Sequence, residues 1–419
     1  MKLYNALTQR TETFEPQGDV VTVYVCGITP YDTTHLGHAF TYTSFDILIR
    51  FLESQGQRVR YVQNVTDIDD DILKRAKQVG DSWDKLGNRW TAHFIEDMQT
   101  LNVRPPEHYP GATEVIPEII TSVQRLIEAG VAYESGGSVY YSVDAWPSFG
   151  KLSHIPREEM LPVANERGNR PDDPKKRDPL DFVLWQAAAP NEPTWESPWG
   201  LGRPGWHIEC STMSSRFLGQ TLDIHGGGAD LIFPHHECEI AQAEPLIDGE
   251  DKVFTRFWLH TAMVYHDGEK MSKSLGNLVM VRDLLKTWDP DVLRLYLGNH
   301  HYRQRWAHDE EELRKAGDLI QKLLKAVKTS SGTGSVLDAA SQKVAFDDAL
   351  KQDLDTPTAM SVLTGLANDI LVGSENGQTI EAAQGVLRAM AQVFGLRLDA
   401  EGPEVRVIEG WSQHIKRFV

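Results

Sequence analysis

The sequence predicts an α/β protein built on a parallel sheet, with an inserted subdomain and a C-terminal helical bundle. Three observations carry this reading. A strand, a helix and a strand follow one another between residues 20 and 65. Strand signals return near residues 222 and 257 and run into polar loops. From about Asp283 the apolar residues keep helical spacing nearly to the end.

The first strand is Val20-Val-Thr-Val-Tyr-Val-Cys26, a β-branched run that reads as buried, and Gly27-Ile-Thr-Pro-Tyr-Asp32 follows as a loop. From His38 to about Ser54, Phe45, Leu48, Ile49 and Leu52 recur at three- and four-residue spacing, and Gly56 stops the pattern. Arg58-Val-Arg-Tyr-Val-Gln-Asn-Val65 is the second strand. Together these form a βαβ unit, whose strands are parallel and whose crossover is right-handed. Residues 67 to about 145 read mostly as helix, closing with a hairpin-like Ser138-Val-Tyr-Tyr-Ser-Val143. Lys151 to Arg177, rich in proline, glycine and charge, reads as an irregular insertion. Leu222-Asp-Ile-His225 and Phe257-Trp-Leu-His-Thr-Ala-Met-Val264 supply further strands. A linker, Thr329-Ser-Ser-Gly-Thr-Gly-Ser335, interrupts the helical C-terminal part.

With 419 residues, 41% hydrophobic and 24% charged, the chain can bury a large core. No run approaches the roughly 18 apolar residues of a membrane span, and no secretory signal opens the chain, so a cytoplasmic protein is expected. Cys26, Cys210 and Cys238 are too few and too scattered for a disulfide framework, which leaves each thiol for metal or packing. A net charge of −18 speaks against DNA or another polyanion as a partner gripped over a broad face.

In an open parallel sheet, ligands bind at the carboxyl ends of the strands. Four segments fall there: Cys26-Gly-Ile-Thr29, Asn64-Val-Thr-Asp67, Gly226-Gly-Gly-Ala-Asp230 and Gly268-Glu-Lys-Met-Ser-Lys-Ser274. His35-Leu-Gly-His38 stands at a helix entry, where free N–H groups and the helix dipole favour an anion. Lys270 and Lys273 offer two cations in a glycine-bounded loop, suited to charge developing on a triphosphate. Alone, the first reads as a helix cap and the second as a solvated turn. Their order and shared position at strand ends favour a nucleotide site. Gly228, in the triplet before Asp230, offers bare backbone that a ligand can approach closely; a tight turn is the other reading.

His235 and Glu239 are four apart after Pro234 and would share a helix face, while Cys26 lies at a strand end and Cys210 follows Pro204-Gly-Trp-His-Ile-Glu209. Two thiolates, an imidazole and a carboxylate are a tetrahedral zinc set. Buried structural cysteines are the plainer reading, and His236, His207 or Cys238 are possible substitutes. A metal there would let a pocket tell a thiol from a hydroxyl, because zinc strongly prefers a thiolate to a hydroxyl. Trp206 would wall the pocket over the substrate methylene, unless it is an ordinary core tryptophan.

These motifs resemble the two signatures of class I aminoacyl-tRNA synthetases, and with the metal residues they resemble cysteinyl-tRNA synthetases and their shortened relative, the cysteine ligase of mycothiol biosynthesis. The resemblance runs from about Tyr24 to His308. It includes Lys176-Arg-Asp-Pro-Leu-Asp-Phe-Val-Leu-Trp185 and Gly205-Trp-His-Ile-Glu-Cys210. It implies a Rossmann-like catalytic domain over 1–300 with an insertion at about 100–190, then a helical domain over 301–419 without an anticodon-binding module. It also implies Zn²⁺, ATP with Mg²⁺, and L-cysteine. His35, His38, Lys270 and Lys273 would surround the triphosphate. Gly27, Thr29, Thr41, Asn64, Thr66, Trp206, Gly228, Asp230 and Val264 would hold the adenylate, and Cys26, Cys210, His235 and Glu239 the metal.

For the acceptor, the sequence favours the small amine of glucosaminyl-inositol over tRNA. Cys26-Gly-Ile-Thr-Pro-Tyr-Asp-Thr-Thr-His-Leu-Gly-His-Ala39 and Glu166-Arg-Gly168 resemble the ligase, although Asn169 and Arg170 depart from its pattern. Ser331 to Val419 holds seven Lys/Arg against twelve Asp/Glu, poor for gripping RNA. Glu239 points the other way, matching a synthetase zinc ligand that the mycothiol enzymes generally lack. An idle paralogue serving as a sensor is disfavoured, since a mere binder has no use for both lysines.

Overall fold

The computed structural model describes residues 1–31, 34–249, 252–266, 268–271, 276–398 and 409–418. Its centre is a four-stranded sheet of β1 (Val20–Ile28), β2 (Arg58–Val65), β3 (Leu222–Gly228) and β4 (Thr255–Thr261), in the order β4-β3-β1-β2. All three pairings are parallel. Because the chain leaves β1 toward β2 on one side and later places β3 on the other, the strand order reverses at β1. A crevice for ligands opens at such a point.

Helix α1 (Leu36–Ser54) makes the crossover from β1 to β2. Phe45, Leu48 and Leu52 turn inward as their spacing requires, and Gly56 adopts φ 85° just past its end. The helix begins two residues earlier than its apolar pattern suggests, because His35 caps it by accepting the His38 N–H at Nδ1, 3.3 Å away.

Alternation along the strands divides the interior. Val21, Val23 and Val25 face α1 and the C-terminal helices, whereas Tyr24 and Cys26 face the opposite core. In β4, Phe257 and Leu259 join the first core and Trp258 the second. The second core is shared with the insertion, whose strands Ala132–Ser135, Ser138–Tyr141, Phe182–Ala187 and Gly202–Pro204 form an antiparallel sheet. The hairpin expected near Ser138 is therefore half of a larger sheet. The stretch from Lys151 to Arg177, expected to be irregular, contains the helix Arg157–Glu166.

The C-terminal part is helical, with Glu310–Lys328, Ala340–Lys351, Thr356–Glu375, Glu381–Val393 and Glu409–Ile415. Arg294 ties this part to α1 by a fully buried ion pair with Asp46 and by donating to the carbonyls of Phe394 and Leu101. Among the described residues no helix is long and apolar enough to cross a membrane.

Candidate metal centre and nucleotide crevice

Cys26 ends the second-core face of β1, and Cys210 lies in the helix Trp206–Leu218 that packs on that face. His235 and Glu239 come from the turn and helix after the cis Phe233–Pro234 bond. One ligand atom from each of these four residues lies within 4.8 Å of the others, and all four residues are buried. His235 Nε2 is 3.2 Å from Glu239 Oε1, and Cys26 Sγ is 3.5 Å from the same oxygen. The tertiary structure thus assembles these four residues from three separated segments.

A second set, Cys26, His225, His236 and Glu239, meets the same distance criterion. Cys26 Sγ stands 3.5 Å from His225 Nε2 and 3.3 Å from His236 Nε2. His225 carries no ligand spacing of its own in the sequence, although it precedes the glycine triplet near the end of β3. His236 Nδ1 in turn meets His260 Nε2 at 2.8 Å, and His207 Nδ1 meets His235 Nδ1 at 2.9 Å. Among the possible substitutes, His236 belongs to the second set and His207 stands behind His235. Cys238 belongs to neither set.

Burial pushes the Cys26 thiol and the Glu239 carboxyl well up and His235 well down, so each favours its neutral form without a compensating charge. Burial likewise lowers His225 and His260 to about 3. Glu239 Oε2 is buried without a hydrogen-bond partner. Two thiols, neutral imidazoles and a carboxylate crowded in this way fit a divalent zinc ion, which would offset the burial of three anions.

Several of the residues expected to hold a nucleotide gather around Gly27. Its N–H donates to Asn64 Oδ1 at 2.7 Å, and Asn64 Nδ2 donates to Thr66 Oγ1 at 3.3 Å. Thr41 Oγ1 lies 2.7 Å from Thr261 Oγ1. The rings of His35 and His38 stack with centroids 3.7 Å apart. Leu36 N–H donates to Val279 O and Val281 N–H to Thr34 O, which brings the start of α1 against the segment downstream of the lysine loop. Lys270 lies in a short strand paired with Tyr265; Lys273 lies outside the described residues.

Two expectations change in detail. The triplet 226–228 belongs to β3 and not to a loop, and its faces are partly filled: a Cβ on Gly226 would lie 2.0 Å from the Phe45 ring, and one on Gly228 would lie 2.6 Å from Asp230 Oδ1. The Val264 side chain is buried in the first core, so only its backbone is placed to meet a ligand.

Trp206 stacks on His235 with centroids 4.3 Å apart. With Thr29 and Asp230 it lines a cavity of about 1210 Å³ between the sheet and the insertion. Arg167, from the end of the helix Arg157–Glu166, reaches across to Asp230 at 3.3 Å. The arrangement suits a small amino acid at the metal cluster, a nucleotide along the crevice and an acceptor entering through the cavity.

Residues 13–318 match the family described as "tRNA synthetases class I (C) catalytic domain", and residues 345–399 match a "DALR domain". A "Cysteine--tRNA ligase" of Trichodesmium erythraeum is 43% identical, covering 98% of this chain and 89% of that protein. One from Legionella pneumophila is 45% identical over 96% of this chain and 86% of its own. The "L-cysteine:1D-myo-inositol 2-amino-2-deoxy-alpha-D-glucopyranoside ligase" of Thermomonospora curvata is 44% identical over 90% of this chain and 89% of its own. In fold, the chain is similar to a Mycobacterium tuberculosis methionyl-tRNA synthetase solved with methionyl-adenylate. The TM-score is 0.61 at 16% identity, over 90% of this chain and 89% of that one.

Proposed function

Because this chain belongs to the cysteine-type class I synthetase family and is an ATP-dependent cysteine ligase, we propose that it forms cysteinyl adenylate and passes the cysteinyl group to the 3′ end of a tRNA. The observation that carries the acceptor is Glu239. Its carboxylate stands among Cys26, Cys210 and His235, and the resemblance assigns this fourth donor to the tRNA synthetases. The names of most of the relatives compared agree. The small amine favoured by the sequence alone thereby becomes the second reading.

On this reading the cysteine carboxylate attacks the α-phosphate of ATP held with Mg²⁺, and pyrophosphate leaves. His35, His38, Lys270 and Lys273 stabilise the charge that develops on the phosphates, while Gly27, Thr29, Thr41, Asn64, Thr66, Gly228, Asp230 and the Val264 backbone hold the adenylate. A zinc ion on Cys26, Cys210, His235 and Glu239 would select a thiolate over the hydroxyl of serine. Trp206, stacked on His235, closes the pocket above the substrate methylene. Residues 1–300, with the insertion whose sheet extends to Pro204, past the bound of about 190 expected from the sequence, act as the catalytic unit, and residues 301–419 support it.

The second reading, transfer to glucosaminyl-inositol, is favoured by the cavity wall, where seven carboxylates face five cations. Such a wall suits a protonated amine better than a phosphate backbone. The deciding experiment incubates the protein with ATP and labelled cysteine, with either tRNA or glucosaminyl-inositol. Label esterified to the tRNA 3′ end supports the proposal; label found only in an amide of the amino sugar replaces it with the second reading.

A further inference from the structure

The last described helix meets the rest of the molecule in a regular register. Trp411 Nε1 donates to the carbonyl of Val103 at 2.8 Å, His414 Nε2 to that of Pro106 at 3.0 Å, and Arg417 Nη1 to that of Tyr109 at 3.1 Å. Donors three residues apart thus serve acceptors three residues apart. Trp411 is fully buried, and its ring, with those of His414 and Phe418, surrounds buried Tyr109 at centroid distances of 5.6, 5.7 and 6.4 Å. Arg417 also pairs with Glu114. Gly410 permits the approach, since a Cβ there would lie 2.4 Å from Pro105 Cγ. Buried carbonyls of residues 103–110 need outside donors, and Pro105, Pro106 and Pro110 give that segment few N–H groups with which to pair internally.

The other side of the same segment lies on the edge of β2. Glu107 N–H donates to Tyr61 O at 2.7 Å, Gln63 N–H to His108 O at 3.2 Å and Val65 N–H to Pro110 O at 2.8 Å. Beyond it, Thr113 holds Asp67 by its N–H at 3.0 Å and its hydroxyl at 2.6 Å. Thr66 N–H donates to Ile28 O at 2.9 Å, and Asn64 accepts from Gly27. A continuous set of contacts therefore runs from residues 411–417, through residues 103–114, to Asn64 near the end of β2 and Thr66 just beyond it.

We propose that the terminal helix is a positioning element for amino-acid activation: by clamping residues 103–110 against β2 it fixes Asn64, near the end of that strand, and the following residues to Asp67 relative to Gly27. Trp411, His414 and Arg417 are positioning residues that act only through residues 103–114. The inference rests on the reading of Asn64 and Thr66 as adenylate contacts. The loss expected on loosening the clamp is one of rate, because misplacement of bound groups lowers the fraction of productive complexes.

The test uses the full chain with Arg417→Ala, Arg417→Lys and Trp411→Phe, the last retaining an aromatic ring without its donor. Cysteine-dependent ATP–pyrophosphate exchange should fall ~10-fold in kcat for Arg417→Ala and Trp411→Phe, with a smaller change in KM, and Arg417→Lys should recover much of it. Amide hydrogen exchange at Gln63, Val65 and Thr66 should quicken while that of β3 stays protected, which a general loss of stability would not produce. Should Trp411→Phe not fold, Arg417→Ala decides. Wild-type exchange rate and unchanged protection at Gln63 and Val65 in Arg417→Ala would overturn the proposal. If the wild-type chain shows no cysteine-dependent exchange, the reading of the site fails instead, and the amide measurements alone decide whether the clamp reaches the end of β2.

Discussion

Gly27 and Asn64 meet twice: the Gly27 N–H donates to the Asn64 side chain, and a Cβ on Gly27 would lie 1.5 Å from the Asn64 carbonyl oxygen. The end of β1 can sit beside the end of β2 only because residue 27 has no side chain. This contact brings Cys26, of the proposed metal set, and Asn64 and Thr66, proposed to hold the adenylate, to one rim.

Gly27→Ala must therefore push the two strand ends apart. The expected outcome is a loss of about 2–4 kcal/mol, as for other changes that overpack a rigid site, with loss of adenylate formation. Denaturant unfolding and pyrophosphate exchange check both. Unaltered stability would show that the strand ends part freely.

Cys210→Ser should lower bound zinc and weaken discrimination against serine, because a neutral hydroxyl is a poor zinc ligand. Metal analysis of the purified variant, with pyrophosphate exchange driven by cysteine and by serine, measures both effects. Cys238→Ser serves as the control, since Cys238 belongs to neither donor set, and it should keep the metal.

Lys273→Ala should slow adenylate formation by ~10²–10³-fold while leaving cysteine binding nearly intact, the behaviour of a contact strengthened in the transition state. Single-turnover rates set beside equilibrium cysteine binding separate the two quantities. A change confined to affinity contradicts this role.

Asp69 caps the helix Asp70–Val79 through the Ile72 N–H at 2.8 Å and lines the cavity. Burial pushes its carboxyl from 3.8 up to about 7, with Asp71 and Asp70 adding to the rise and the Ile72 hydrogen bond opposing it. Between those two values the folded state holds a proton that the unfolded chain has released. Stability from this group is thus present below the lower value and is lost as pH rises toward the upper one. Asp69→Asn keeps the cap and cannot titrate. The stability of wild type relative to this variant, from denaturant midpoints, should fall between about pH 4 and 7 and level off above. A difference that grows with pH would reverse the assignment.

Much of the architecture was legible in the sequence because it rests on local periodicity. The β-branched run before Cys26, the spacing of Phe45, Leu48 and Leu52, and the turn at Gly56 specify a strand, a helix and its end without reference to distant residues. The lysine loop and the histidine pair carry a reading of chemistry and not of fold, since cations and N–H groups at strand ends suit a phosphate wherever they occur. The insertion was less so. Its strands Phe182–Ala187 and Gly202–Pro204 pair across long connections, and short strands whose partners lie far along the chain leave little periodic trace.

What the sequence determined by itself was the parallel-sheet class, the strand ends where ligands gather, and a set of thiol, imidazole and carboxylate residues able to hold zinc. Only the tertiary structure decided that Cys26 faces Cys210, His235 and Glu239, that His225 and His236 form a rival set around the same thiol, that Phe45 fills the face of Gly226, and that Trp411 closes on Val103. The reason is physical. Side-chain alternation fixes which way a residue points relative to its neighbours in the chain. What it points at depends on how separated segments pack, and pairings between residues some two or three hundred positions apart leave no periodic signature in either segment.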